Sequence, residues 1–177
     1  MSLIFEYLRV FHFAEALKGT ECSYYNALGK LFNAAGEGAE PPIRCMMELK
    51  DLGAGFPDGG LYTYNQIPDT RTPLFDDETD PPKPSRGAIE VKEADVTLDE
   101  LQEQEQVERY LSEYRTTLIT NLRAFRLLQA GKNGEKEVID EFTLAGSEQE
   151  FREIAARAEK PDKRLEKRFE SFISRVI

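Results

Sequence analysis

The chain has 177 residues, 40% of them hydrophobic, which suits one domain with a real core and is too apolar for a disordered segment. It carries 23 Lys and Arg against 33 Asp and Glu, a formal net charge of −10, which disfavours a stand-alone nucleic-acid binder with a uniformly cationic surface. No run reaches the ~18 apolar residues of a membrane-spanning helix, and no export signal is visible. Cys22 and Cys45 are therefore expected to be reduced, buried thiols in a cytoplasmic chain. The single histidine, His12, excludes zinc sites that need several imidazoles and is expected to pack on the first helix.

Leu3, Ile4, Tyr7, Leu8, Phe11, Ala14 and Leu17 recur at helical spacing and predict a helix over 3–18, ended by Gly19. Thr20 is an N-cap candidate for a second helix, with Glu21 in its first turn, Tyr24, Tyr25, Leu28, Leu31 and Phe32 on its apolar face, and an end by Gly36. Strands are predicted over 43–49 and 61–67, separated by the turns Gly53-Ala54-Gly55 and Phe56-Pro57-Asp58-Gly59-Gly60. Residues 68–86 hold five of the nine prolines and the acidic cluster Asp76, Asp77, Glu78 and Asp80, and read as a long surface loop. A strand over 87–93 precedes a helix capped by Thr97 or Asp99 and running to about Tyr114. Strands follow over 116–120, 124–129 and 136–144, then helices over 147–159 and 162–176. This order predicts an α/β fold with a mixed central sheet flanked by helices, the body of the domain in 1–146 and packing or linker helices in 147–177.

Glu90 and Lys92 are two apart on a predicted strand and therefore share a face, while Ile89 and Val91 share the other. An acid and a lysine on one face over apolar neighbours are paired, solvated or functional, because an unpaired buried charge is costly. If the strands at 61–67 and 87–93 are neighbours, Asp58 and Glu90 meet at one end of the sheet. Two carboxylates there make a hard-oxygen site suited to Mg²⁺, with Mn²⁺ as substitute, and an adjacent lysine can orient a water. Gln106 and Tyr110, four apart, share a face of the following helix and can touch a nucleotide or steady the lysine.

Pro57-Asp58, then Glu90-Val91-Lys92, then Gln106-Val107-Glu108-Arg109-Tyr110 resemble the PD-(D/E)xK nuclease pattern with its downstream QxxxY element. Thr20-Glu21 leading into Ser23-Tyr24-Tyr25-Asn26-Ala27-Leu28, and Thr117-Leu118-Ile119-Thr120-Asn121 followed by Phe125-Arg126-Leu127, resemble the N-terminal nuclease-like domain of type ISP and type IIG-like restriction–modification proteins. In those, a nuclease precedes an N6-adenine DNA methyltransferase. The resemblance spans roughly residues 20–130 and implies a restriction-endonuclease-like fold and a Mg²⁺-dependent DNA endonuclease. It implies Asp58 and Glu90 as metal ligands, Glu21 as a supporting ligand, Lys92 as the catalytic lysine, and Gln106 and Tyr110 lining the substrate groove. Its implied partners are double-stranded DNA and downstream methyltransferase and target-recognition domains, with this chain a fragment of a longer protein. Two features depart from the pattern: Gly59-Gly60 after Asp58, and the long 68–86 insertion.

Two other readings fit the same residues. One is a catalytically inactive nuclease-like module of a DNA methyltransferase that binds DNA or protein; the other is a repair or recombination nuclease of the same fold. Glu21 has an ordinary alternative as a favourable charge at a helix N-terminus. The charge is also polarised: 76–113 holds 13 acidic and 4 basic residues, whereas 116–136 carries Arg123, Arg126, Lys132 and Lys136 against Glu135. Residues 160–177 hold six basic and three acidic residues. Basic flanks beside a negative site are compatible with a DNA substrate.

Overall fold

Ser2 caps the first helix, α1 (Leu3–Ala16), by accepting the Phe5 amide at 3.4 Å, and Ile4, Tyr7, Leu8, Phe11 and Ala14 share its buried face. The second, α2 (Glu21–Gly36), starts from Thr20 in extended N-cap geometry without a side-chain cap bond. The computed structural model describes residues 2–66, 81–157 and 163–177, the side chain of Glu21 excepted. The acidic cluster at 76–80 and most of the predicted 68–86 loop lie outside the described residues.

Six strands form one sheet in sequence order: β1 (Ile43–Met47), β2 (Gly59–Thr63), β3 (Gly87–Val91), β4 (Thr116–Thr120), β5 (Ala124–Ala130) and β6 (Lys136–Thr143). Neighbours are antiparallel except β3 and β4, which are parallel. A parallel pair needs a crossover, supplied here by α3 (Leu98–Gln102) and α4 (Glu105–Tyr114). The helices α5 (Glu148–Arg157) and α6 (Lys163–Val176) complete the chain.

Strand alternation divides the core between the two sheet faces. Ile89 and Val91 of β3, Leu118 of β4, and Phe125 and Leu127 of β5 join one large cluster with α1, α2, α5 and α6. Ile119, Leu128 and Ala130 pack instead with Leu98, Leu101, Val107 and Leu111 of α3 and α4. Ala88 of β3 meets Ala54, Tyr110 and Tyr114 on that second face. The sheet edge at β1 is blocked locally: the Asn33 side chain accepts the Cys45 N–H at 2.9 Å and donates to its carbonyl at 3.2 Å, imitating a neighbouring strand.

Three expectations change in detail. The single helix predicted from Thr97 to Tyr114 is two. Thr97 and Glu100 form a capping box that starts α3, and the break falls at Glu103 and Gln104. There Lys136 Nζ donates to the Gln102 carbonyl at 2.6 Å, satisfying a helix-end acceptor from across the sheet. The strand predicted over 61–67 begins earlier, at Gly59, and ends in a 3₁₀ turn over Tyr64–Gln66. Cys22, expected to be buried, is exposed in the first turn of α2 and lies 3.5 Å from Glu48 Oε1; Cys45 is buried.

Gly87 opens β3 at φ +113°, and a Cβ there would stand 2.5 Å from the Thr116 carbonyl oxygen. Both the conformation and the close approach require glycine. Gly87→Ala is expected to cost about 1–3 kcal/mol, read as a lower urea midpoint. An unchanged midpoint would contradict this approach of β3 to β4.

Candidate active site

The residues before Asp58 form a built turn. Asp51 Oδ1 accepts the N–H groups of Gly53 at 2.8 Å and Gly55 at 3.0 Å, and Arg109 Nε of α4 donates to the Ala54 carbonyl at 3.4 Å. Those bonds and the nearby Arg109 charge hold the Asp51 carboxyl below its ordinary value. The Gly59-Gly60 departure has a steric reason. A Cβ on Gly60 would lie 2.8 Å from Leu49 Cδ1 and 2.9 Å from Pro84 Cβ, so neighbouring segments close over the start of β2 where a side chain would stand.

The register pairs Gly59 with Ile89, which sets Asp58 beside Glu90. Lys92 N–H faces β4 and donates to the Thr120 carbonyl at 2.9 Å. The preceding Val91 N–H faces β2, where backbone pairing has ended, and Asp58 Oδ2 accepts it at 2.7 Å. The other oxygen, Oδ1, accepts the Tyr25 hydroxyl of α2 at 2.7 Å. Asp58 is thus tied to the sheet by one oxygen and to the helix layer by the other.

Glu90 is only 2% exposed. Its Oε1 accepts Lys92 Nζ at 2.5 Å and the Gln106 amide of α4, and Gln106 also reaches Gln104 Oε1 at 3.1 Å. Burial first, and then the charge of Asp58, push the Glu90 carboxyl up to about 7, against the opposing pull of Lys92. Tyr110, one helical turn after Gln106, is buried against Ala54, Ala88 and Tyr114. Burial, followed by the charges of Glu90 and Asp58, raises its phenol well above the ordinary range. That phenol stays neutral at physiological pH.

Asp58, Glu90, Lys92, Gln106 and Tyr110 therefore converge where β2 begins and β3 ends. Lys92 stands one residue beyond β3 and not within it, yet its side chain still returns to Glu90. The Glu21 side chain is outside the described residues, although its backbone opens α2 one turn before Tyr25. Among the described residues, no group of three or more His, Cys, Asp or Glu is arranged to hold a metal ion. The sequence places Tyr25 on an apolar helix face and within the segment that carries the family resemblance, but assigns it no role at the site. The usable signal was its i,i+4 spacing from Glu21, but nothing local tells which strand end that face meets.

The basic flank at 116–136 is largely engaged within the chain. Arg123 donates to the Ala94 carbonyl at 2.7 Å and the Ala145 carbonyl at 3.1 Å. Arg126 pairs with Asp99 at 2.7 Å and Glu141 at 2.6 Å, and Lys136 with Glu103 at 3.1 Å. Much of the positive charge that looked available for phosphate staples α3 and the β3–β4 connection to the sheet.

A six-stranded, mostly antiparallel mixed sheet with helices on both faces defines an α/β fold, and Asp58 and Glu90-x-Lys92 sit at the junction of two of its neighbouring strands. Among solved structures, the chain is similar to one described as a cryo-EM structure of a DrdV–DNA complex, with a TM-score of 0.52 and 20% sequence identity. The match covers 90% of this chain and 14% of that one, so this chain spans a small part of its neighbour's length. No protein-family model matches the chain, and no curated protein matches it. Among the described residues, no helix is long and apolar enough to cross a membrane.

Proposed function

We propose that this chain is a Mg²⁺-dependent DNA endonuclease domain of the PD-(D/E)xK kind, hydrolysing phosphodiester bonds within a restriction–modification protein. The observation that carries the reading is the convergence of Asp58, Glu90 and Lys92, with Gln106 bonded to the same Glu90 oxygen. The fold likeness to a chain seen in complex with DNA supports DNA as the substrate.

The donor set fits a divalent cation. Two carboxylates are pressed together, and the more buried one is raised by burial and then by its neighbour's charge, so the pair gains from a dication between them. Asp58 and Glu90 would hold it, with Glu21 as a further ligand; Mn²⁺ would substitute for Mg²⁺. A bound Mg²⁺ would supply Lewis-acid polarisation of a phosphoryl oxygen and stabilise charge on the leaving oxygen. Lys92, held on Glu90 and 31% exposed, orients the attacking water. Water attacks phosphorus and gives up one proton to solvent, one P–O ester bond breaks, and the leaving oxygen takes up a proton from solvent. Gln106 holds Glu90 from the helix side. Tyr110, expected to line the groove, is instead buried against Ala54, Ala88 and Tyr114 and supports the site from behind.

In this reading the domain works ahead of an N6-adenine DNA methyltransferase and target-recognition domains, and binds double-stranded DNA weakly by itself because its net charge is −10 and Arg123, Arg126 and Lys136 of its 116–136 flank are engaged within the chain. The test is cleavage of plasmid DNA with Mg²⁺ or Mn²⁺ and with chelator, by the chain and by Asp58→Ala. Metal-dependent nicking lost in Asp58→Ala supports the nuclease. DNA or protein binding with no metal-dependent nicking from any preparation points to the inactive interaction module.

A further inference from the structure

We propose that Tyr25 is a positioning residue of this site: by holding one oxygen of Asp58 from the helix layer, it sets the affinity of the carboxylate pair for a divalent cation. The inference rests on the reading of Asp58 and Glu90 as metal ligands.

A carboxylate side chain turns about two torsions. The bond from Val91 N–H to Oδ2 at 2.7 Å leaves the group free to pivot about that contact. The Tyr25 hydroxyl on Oδ1, also at 2.7 Å, removes the pivot. The two donors come from different layers, β3 and α2, so the carboxylate plane is fixed by the packing of a helix on a sheet. Tyr25 is itself 8% exposed and belongs to the large core cluster with Leu28 and Phe32. Each carboxylate oxygen has a second acceptor position, so both bonds leave room for a cation.

The donor's chemistry matters as much as its place. A phenol orients an anion without bringing a counter-charge, whereas a lysine or arginine there would neutralise Asp58 and compete with the cation. Among the described residues, the ammonium bonded to the pair is that of Lys92, and it is placed on Glu90. Groups that orient metal ligands in this way typically contribute about 10–100-fold in metal affinity.

The test is calorimetric titration of the full chain with Mn²⁺ alone, for wild type, Tyr25→Phe and Asp58→Ala. Phenylalanine keeps the buried ring and removes only the hydroxyl, so the metal-free melting temperature should stay within a few degrees. The expected result is a Kd for Mn²⁺ about 10–100-fold weaker in Tyr25→Phe. In a cleavage assay, the metal concentration giving half-maximal rate should rise by the same factor, with the rate recovering towards wild type at saturating metal. A Tyr25→Phe chain with the wild-type Kd overturns the proposal while leaving the metal reading intact, and so does a loss of stability with no change in Kd. A wild-type chain that binds no Mn²⁺, or an Asp58→Ala chain that binds it as wild type does, overturns the metal reading and the proposal with it.

Discussion

Replacing Lys92 by alanine is expected to lower metal-dependent DNA cleavage by about 10²–10⁴-fold while leaving the fold and Mn²⁺ binding in place. Lys92 lies past the end of β3, partly exposed, and its backbone N–H remains bonded to the Thr120 carbonyl whatever the side chain. Truncation therefore removes a cation from the site without disturbing the ladder. The readout is the single-turnover rate on plasmid DNA at pH 8 and saturating Mg²⁺, with melting temperature as the control for folding. Lys92→Arg should not restore the rate, because the planar guanidinium occupies a different volume and holds a water differently from a compact ammonium. Undiminished cleavage by Lys92→Ala would remove the lysine from the mechanism and with it the main support for a PD-(D/E)xK assignment.

The second large effect concerns Glu90 and separates stability from function. Burial and the Asp58 charge raise its carboxyl from 4.5 to about 7 in the fold. A carboxyl raised on folding costs stability when it ionises. The penalty is absent below about pH 4.5, accumulates up to about pH 7, and is fully present above that. At about 1.4 kcal/mol per pKa unit, it amounts to at most about 3 kcal/mol. The metal-free chain is therefore expected to lose stability from pH 5 to pH 8, and Glu90→Gln to flatten that part of the profile and melt higher than wild type at pH 8. With metal the order reverses. A divalent cation at about 100 times its Kd adds about 2.7 kcal/mol, a rise of roughly 5–10 °C for a chain of this size. Wild type should gain it and Glu90→Gln should not. Thermal melts at the two pH values, with and without Mg²⁺, check both halves. A Glu90→Gln chain that melts lower than wild type at pH 8 without metal would show that the ionised carboxylate is net favourable where it sits.

The engaged arginines bear on how such a domain would use DNA. Arg123 and Arg126 are written into the sequence as a basic flank, but their guanidinium groups close the loop before α3 and the α3 helix onto β4–β6. Polarised composition showed where the acidic excess lies along the chain. It did not show which cations were already paired, because their partners sit 15 to 29 residues away in sequence.

Several features were legible from local pattern alone. Helical spacing marked α1, α2, α5 and α6, because each buries one face against the core. The strands were legible as short runs between turns and not by alternation, since β3 and β4 are buried on both faces and β6 is mostly exposed. The placing of Glu90 and Lys92 on one side, with Ile89 and Val91 on the other, follows from the two-residue period of a strand and needs no partner to be named. The order Asp58, Glu-x-Lys, Gln106 and Tyr110 was likewise readable in one dimension. Boundaries were less so. The break between α3 and α4 falls where Lys136, a strand residue, reaches back to the Gln102 carbonyl, and no periodicity within the helix encodes it.

By itself, then, the sequence determined the kinds of element, their order and the residue types available for chemistry, since these depend on neighbours within a few positions. Only the tertiary structure decided that β2 and β3 pair antiparallel in the register that sets Asp58 beside Glu90. The same is true of Tyr25 reaching Asp58 from another layer, of Gln106 returning to Glu90, and of the basic flank being largely spent inside the molecule. Each of those contacts joins segments brought together by burial of shared apolar faces, and the register and reach it produces exist only once the layers have packed.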